Sequence, residues 1–550
     1  MQYRRSMTSP TSKTATETAP TIRASSIDYG TLIRLGGWIG WQARTFAAAC
    51  EANASVVTVG LFALLMMQWA RHLSFAQNGD GLLGTVMSLQ KVTLYYWGED
   101  RFANLLPALT IWIRNPVDNV YAQVTLRLVL GLMAPVFFCS LIFRRATDSW
   151  RATLTTDLLL LLGLQPTLAS EMYLAQNPYC TALACAGLST LALRSAWRDL
   201  AKRRWPLYVL GFACLLAAYL VDFGLVPVAM PLIALLALLM RSVFLYRLLV
   251  LHLLAAALSF LLAKVAVPDF SSTLGLAPSW DSELRYLHVV WVNMDWSFAA
   301  ALIFPIASFV ALARWYRSRY YRMMGLVFAA MLATAILYFI LVAASKWLVM
   351  NLFAVRYFIP GYLLAMSIAG IALWHRRIWP TANRTTNNLA FLAMAAVLFL
   401  SGMARLQAWP PGIEGVISDG KAPEADAIGA SYIAQRLDAI AGDYWDVWPA
   451  VLTAEQYRYD AHLDNAGVLG ITYRGEARRG AFTARLAARG ELRIGCIDLT
   501  LAACRDLVGS TMKISGLRAE EFAPKAQLPD HHVLRFITVS PAAATSEVPS

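Results

Sequence analysis

Charge is the scarcest ingredient of this sequence. Only 15% of its 550 residues are Asp, Glu, Lys or Arg, against 58% hydrophobic, and the mean hydropathy is +0.51. A soluble chain of this length would form several domains with far more charge on their surfaces, so that class is excluded. Also missing are any CxxC…CxxC spacing, Walker A loop, GxSxG or HExxH, which leaves no recognisable motif for zinc binding, nucleotide hydrolysis or a serine nucleophile. Residues 1–30 are rich in Ser, Thr and Ala and lack the apolar core of a signal peptide, so they read as a disordered head. No repeat of solenoid or propeller period is visible.

What is abundant is apolar sequence in long runs. A stretch of about 20 apolar residues spans a bilayer, and the chain contains many such stretches. This defines a polytopic membrane protein. The net charge of +13 might suggest a nucleic-acid partner, but its distribution opposes that. Basic residues cluster between apolar runs at Arg144, Arg145 and Arg151, at Arg194 to Arg204, at Arg241 and Arg247, at Arg314 to Arg322, and at Arg376 and Arg377. The alternate loops hold Asp80, Glu99, Asp100, Glu171, Asp281, Glu283 and Asp295. Such alternation is the positive-inside pattern and places the basic clusters in the cytoplasm.

The expected fold class is therefore an all-α polytopic membrane protein with about eleven transmembrane helices and a small α/β C-terminal extracytoplasmic domain. Residues 1–50 form the cytoplasmic head, ending in an interfacial helix over 31–50. Residues 51–404 form the transmembrane domain, with a long first outer loop over 72–119. Spans are expected near 55–71, 120–142, 153–170, 178–194, 206–222, 225–240, 245–267, 296–313, 324–343, 357–374 and 388–404. Eleven crossings put the N-terminus inside and the C-terminus outside. In the tail, 405–550, "SYIAQRLDAIA" has an amphipathic helix pattern, while "YWDVWPAVLTA", "VLGITY", "ELRIGCIDL" and "HHVLRFITVS" read as strands.

Seven cysteines divide by location. Five lie in or beside expected spans, where a thiol behaves as a small hydrophobe. Cys496 and Cys504 bracket "CIDLTLAAC" in the outer tail, and an oxidising compartment would let them close a small loop. Two buried free thiols are the alternative.

The first outer loop is long for a passive connection. Leu82, Leu83, Val86, Met87 and Leu89 recur at helical spacing, so a helix along the membrane surface is expected. Asp80, in "QNGDGLL", stands at its start. On position alone an N-cap is favoured, because a carboxylate accepts from the free N–H groups there.

A short cytoplasmic head, one span and a long outer loop opening with an acidic residue together resemble the GT-C superfamily of membrane glycosyltransferases. "EMYLAQNPY", "VRYFIP" and "GDYWDVWPAVLTAE" are similar to segments of bacterial GT-C proteins, including relatives of the protein mannosyltransferases and aminoarabinose transferases. The resemblance is one of layout over about residues 50–410, carried by short motifs. It implies a polyprenyl-phosphate-sugar donor, a glycan, lipid or protein acceptor, membrane lipid as surroundings and an inverting transfer on the outer face of an inner membrane. It makes Asp80 the general base. The family's adjacent acidic pair is not at Asp80, and Glu99-Asp100 supplies one later in the loop, so these two are the alternative base. A divalent metal is left open.

Transfer also needs cations where negative charge builds on the departing lipid phosphate. Arg356, Lys346 and Arg127 are the candidates, although Lys and Arg near helix ends also snorkel to the interface. Glu171, Asp222 and His288 are candidates for acceptor binding or an auxiliary role, each with a plainer reading as a helix cap, a turn residue or a structural histidine. Tyr95, Tyr96 and Trp97 suit a membrane interface, and Trp445 and Trp448 can stack on sugar faces. A transporter or flippase for a lipid-linked or anionic solute is the alternative function. It would show repeats and paired broken helices, and neither is clear here.

Overall fold

A computed structural model describes residues 77, 79–97, 102–163, 178–198, 205–266, 319–345, 355–374, 421–463, 467–473 and 475–541, with isolated helical residues between 280 and 288 and at 396 and 400. The chain divides into two compact units, Met1–Ala54 and Ser55–Ser550, and every described residue belongs to the second. That unit is mostly helical, with one small sheet near its C-terminal end.

The first-loop segment opens with α1 (Gly79–Gln90) and a short α2 (Leu105–Leu109). The bundle follows as α3 (Pro116–Met133), α4 (Val136–Ile142), α5 (Ala146–Gly163), α6 (Pro178–Arg198), α7 (Trp205–Val221), α8 (Val226–Met240), α9 (Val243–Ala266), α10 (Arg319–Ala343) and α11 (Ile359–Trp374). Asn115 caps α3, its side chain accepting from Asp118 N, and Pro116 occupies the first turn, where its missing N–H is harmless. Pro135 divides α3 from α4, so the expected span over 120–142 is two helices in line. Where α6 crosses α4, Gly187 lets the backbones meet. A Cβ there would lie 2.7 Å from Phe137 N.

Five segments are long and apolar enough to cross a bilayer: Pro116–Ile142, Phe223–Met240, Val243–Ala266, Arg322–Ala343 and Arg356–Trp374. The expectation of eleven spans is not supported among the described residues. α5 carries Asp148, Arg151, Asp157 and several Thr, and α6 carries Arg194 and Arg198 with Ser and Thr, which dilutes both. α7 is apolar but, at 17 residues, is shorter than each of the five. The stretches expected near 55–71, 296–313 and 388–404 lie almost wholly outside the described residues. Arg356–Trp374 is the central helix, 89% buried, packed by α5 on one side and α10 on another.

The C-terminal portion is a three-layer α/β arrangement. It runs α12 (Lys421–Ala434), β1 (Ala439–Ala441), α13 (Tyr444–Asp460), β2 (Leu469–Ile471), α14 (Arg479–Arg489), β3 (Leu492–Ile497), α15 (Leu501–Met512), β4 (Leu517–Gln527) and β5 (Val533–Pro541). The sheet order is β2-β1-β3-β5-β4, parallel for β1 with β2 and β3, antiparallel for β5 with β3 and β4. Alternation along each strand divides its residues between two cores. Ile440, Ile497, Leu534 and Phe536 join the core shared with α12, α13 and the bundle. Ala439, Ala441, Ile494, Cys496 and Ile537 join Phe482 and Leu486 of α14 and Cys504 and Val508 of α15 in the other. Cys496 and Cys504 are joined by a disulfide inside this second core.

One tail expectation is corrected. "YWDVWPAVLTA" is not a strand but the start of α13. Its aromatic and β-branched residues suggest a strand by type, but burial runs unbroken from Val447 to Leu452, without the alternation of a half-buried strand. Asp443 caps the helix, accepting from Trp445 N at 2.9 Å. Of "SYIAQRLDAIA", the first part ends α12 and the last three residues are β1.

Candidate active site

α1 is held in place from three directions. Arg127 on α3 is 3% exposed. Its guanidinium donates to Gln77 Oε1 at 2.7 Å, Gly81 O at 3.0 Å and Gln123 Oε1 at 3.4 Å. The candidate phosphate ligand therefore directs donors at Gln77 and Gly81, on either side of Asp80. Asn119 Nδ2 donates to Ser88 Oγ at 3.0 Å and to Ile113 O at 2.9 Å, and Asn104 Nδ2 donates to Tyr95 O at 2.7 Å. Together these bonds make a built structure of the first loop.

The third support is the C-terminal α/β portion. α13 lies against α1, with Trp448 and Trp97 ring centroids 5.8 Å apart. Gln90 Nε2 donates to Glu455 Oε1 and to Val468 O, both at 2.7 Å. Tyr95, Tyr96 and Trp97 are 5%, 6% and 1% exposed. They are thus buried within the protein. Trp448 is fully buried, whereas Trp445 is exposed.

Asp80 sits where these supports converge. It lies in the first turn of α1, 5% exposed, where the helix dipole favours a carboxylate. Tyr444 Oη donates to its Oδ1 at 2.6 Å, and Arg356 Nη1 stands 3.6 Å from its Oδ2. The two partners come from far along the chain. Tyr444 opens α13, and Arg356 lies in the 3-10 turn Val355–Phe358 that leads into α11. The Arg356 side chain is 30% exposed against 7% for Asp80, so the cation reaches from the carboxylate toward open space.

A tyrosine cluster adjoins this pair. Arg356 stacks over Tyr357 at 5.4 Å, Tyr357 meets Tyr179 edge-on at 6.0 Å, and Tyr338 Oη donates to Tyr357 O at 2.7 Å. Asp222, 6% exposed, acts electrostatically on Tyr179 and Tyr338, and Arg356 acts on Tyr179. This brings a second carboxylate beside the same cluster. Asp222 also accepts from Gly224 N at 2.9 Å, which is the turn role expected of it.

Of the candidate residues, the structure brings together Asp80 and Arg356, with Arg127 beneath and Asp222 nearby. His288 is exposed. Glu99, Asp100, Glu171 and Lys346 lie outside the described residues. Among the described residues, no group of three or more His, Cys, Asp or Glu could hold a metal ion. Tyr444 is the site residue that sequence reasoning missed. Its signal was the stripe Tyr444, Val447, Trp448, Val451 and Glu455, one face of a helix laid on α1.

The fold and site define a helical protein with membrane-length helices and a carboxylate–arginine–tyrosine centre under an α/β cap. No protein-family model matches the chain, and no curated protein matches it.

Proposed function

We propose that the protein is a membrane glycosyltransferase of the GT-C type, moving a sugar from a polyprenyl-phosphate-linked donor to an acceptor on the outer face of a bacterial-type inner membrane. The reading keeps a membrane-embedded helical body, a cytoplasmic N-terminus and an extracytoplasmic C-terminus. The observation that carries it is the buried Asp80 carboxylate with Arg356 Nη1 3.6 Å away, at the place where bundle and α/β portion meet.

Asp80 takes the proton of the acceptor hydroxyl as its oxygen attacks the anomeric carbon from the face opposite the phosphate. The bond from that carbon to the phosphate oxygen breaks, configuration inverts, and polyprenyl phosphate leaves. Arg356 offers a guanidinium to the phosphate oxygens where charge builds. Arg127 serves indirectly, by fixing the turn that presents Asp80.

The test is Asp80→Asn in the full-length protein reconstituted in bilayers. Asn has nearly the shape of Asp and cannot accept the proton. The variant is expected to fold, retain radiolabelled polyprenyl phosphate and lose transfer by about 100- to 10,000-fold. A folded Asp80→Asn protein with full activity would move the base to Glu99 or Asp100 or remove this reading.

A further inference from the structure

The protein surface beside Asp80 is aromatic. Trp445 is 44% exposed and Tyr473 is 65% exposed, although Tyr444 between them is buried. Both rings pack on Tyr444, with centroids 5.1 Å and 5.3 Å from it. Tyr444 in turn reaches Asp80 Oδ1 at 2.6 Å. The two exposed rings thus stand one aromatic ring away from the carboxylate. Trp445 points away from the buried stripe of α13, and neither ring is fully buried in a core. Exposed apolar surface rimmed by polar groups is where ligand-binding grooves are found. Here the polar groups are carboxylates on either side of Trp445 in sequence: Asp443, exposed, with one oxygen capping α13, and Asp446, half-buried.

We propose that Trp445 and Tyr473 form a subsite that stacks a sugar ring of a carbohydrate acceptor, one ring away from the Asp80 carboxylate. This rests on the transferase reading and narrows its acceptor to a glycan. A sugar ring has an apolar C–H face and a hydroxyl edge. The electron-rich face of an aromatic ring suits the first, and carboxylates, which only accept hydrogen bonds, suit the second. An isoprenoid chain would gain nothing from Asp443 and Asp446, and an anionic lipid headgroup would be repelled by them.

The experiment measures binding apart from transfer. Full-length protein in nanodiscs is titrated with soluble neutral oligosaccharides of pentoses and hexoses, namely arabinan, galactan, mannan and glucan fragments. Binding is read by saturation-transfer NMR and tryptophan fluorescence. At least one series is expected to bind saturably, with Kd raised about tenfold or more, the loss of at least 1.4 kcal/mol, in Trp445→Ala and Tyr473→Ala. Trp445→Phe and Tyr473→Phe should restore part of it, while retention of polyprenyl phosphate stays unchanged in all four. The proposal is overturned by absence of saturable binding across the panel, or by equal binding in the alanine variants. Protection of both rings by polyprenyl phosphate vesicles rather than by oligosaccharide would also overturn it. The two readings fail separately. Oligosaccharide binding through Trp445 in a protein that transfers no sugar keeps the subsite and removes the transferase. Transfer to a non-carbohydrate acceptor, undiminished in the ring variants, does the reverse.

Discussion

Tyr444 donates its hydroxyl hydrogen to Asp80 Oδ1 at 2.6 Å across a sequence separation of 364 residues. The bond ties the start of α13 to the first turn of α1 and fixes one oxygen of the carboxylate while Arg356 faces the other. Tyr444→Phe removes only the donor, because the ring keeps its packing on Trp445, Trp448 and Tyr473. The bond holds the carboxylate in one orientation, so on the transferase reading its loss should misplace the base and lower kcat for sugar transfer by up to about 100-fold. On the same reading KM for the donor should hold, since the hydroxyl is bonded to Asp80. Unchanged kcat in a folded Tyr444→Phe protein would reduce the bond to a structural tie.

The disulfide between Cys496 and Cys504 closes a loop with a sequence separation of 8 and lies within the core under α14 and α15. On the chain-entropy account, so short a loop contributes about 2–3 kcal/mol. Cys496→Ser with Cys504→Ser should lower the melting temperature of the α/β portion, and non-reducing peptide mapping of the wild type should recover the joined peptide. Recovery of both thiols freely alkylated from native protein would contradict the bond.

His532 gives the α/β portion a pH dependence. It is hydrogen-bonded to the Asp498 carboxylate, and its Nδ1 is 4.0 Å from Glu424 Oε1. The bond to Asp498 raises its pKa above the ordinary value, the charges of Glu424, Asp498 and Asp446 add to this, and slight burial opposes it. A histidine whose native pKa is raised stabilises the fold fully below its unfolded value of about 6.5. That contribution is lost as pH rises through the higher native value. Thermal stability followed by circular dichroism should therefore decline as pH rises above about 6.5, and His532→Gln should flatten the slope. An equal slope in the variant would assign the dependence to other groups.

How much of this was legible beforehand depends on what kind of signal each element leaves. Apolar runs such as Phe223–Met240 and Val243–Ala266 announce membrane-length helices by composition alone. The strands β2, β3 and β5 were readable from dense β-branched and aliphatic residues bounded by turns. α13 reads as a strand by residue type, because its aromatic and β-branched residues are those that strands favour. β4, "LRAEEFAPKAQ", went unread because it is half charged or polar and mostly exposed, an edge strand paired on one side. The helical start at Asp80 could be anticipated from the period of Leu82, Val86 and Leu89. Its partners could not, because Tyr444 and Arg356 reach it through packing between distant segments, which no local pattern encodes.

Arg356 provides the sharpest separation of roles. Its guanidinium is 3.6 Å from Asp80 Oδ2, and its side chain is 30% exposed, so it can serve the carboxylate, an incoming phosphate, or both. If it holds the phosphate, Arg356→Ala should raise Kd for polyprenyl phosphate by about tenfold or more, because a charge-assisted contact is lost. Arg356→Lys should recover part of the affinity, since a point charge remains without the planar fork. If it serves only Asp80, donor affinity will be unchanged in both variants and only kcat will fall. Binding of radiolabelled polyprenyl phosphate to the protein in nanodiscs, measured beside single-turnover rates, separates these outcomes. Loss of donor affinity in Arg356→Ala with partial recovery in Arg356→Lys is the expected result. Donor affinity equal to wild type in both would remove Arg356 from the phosphate site.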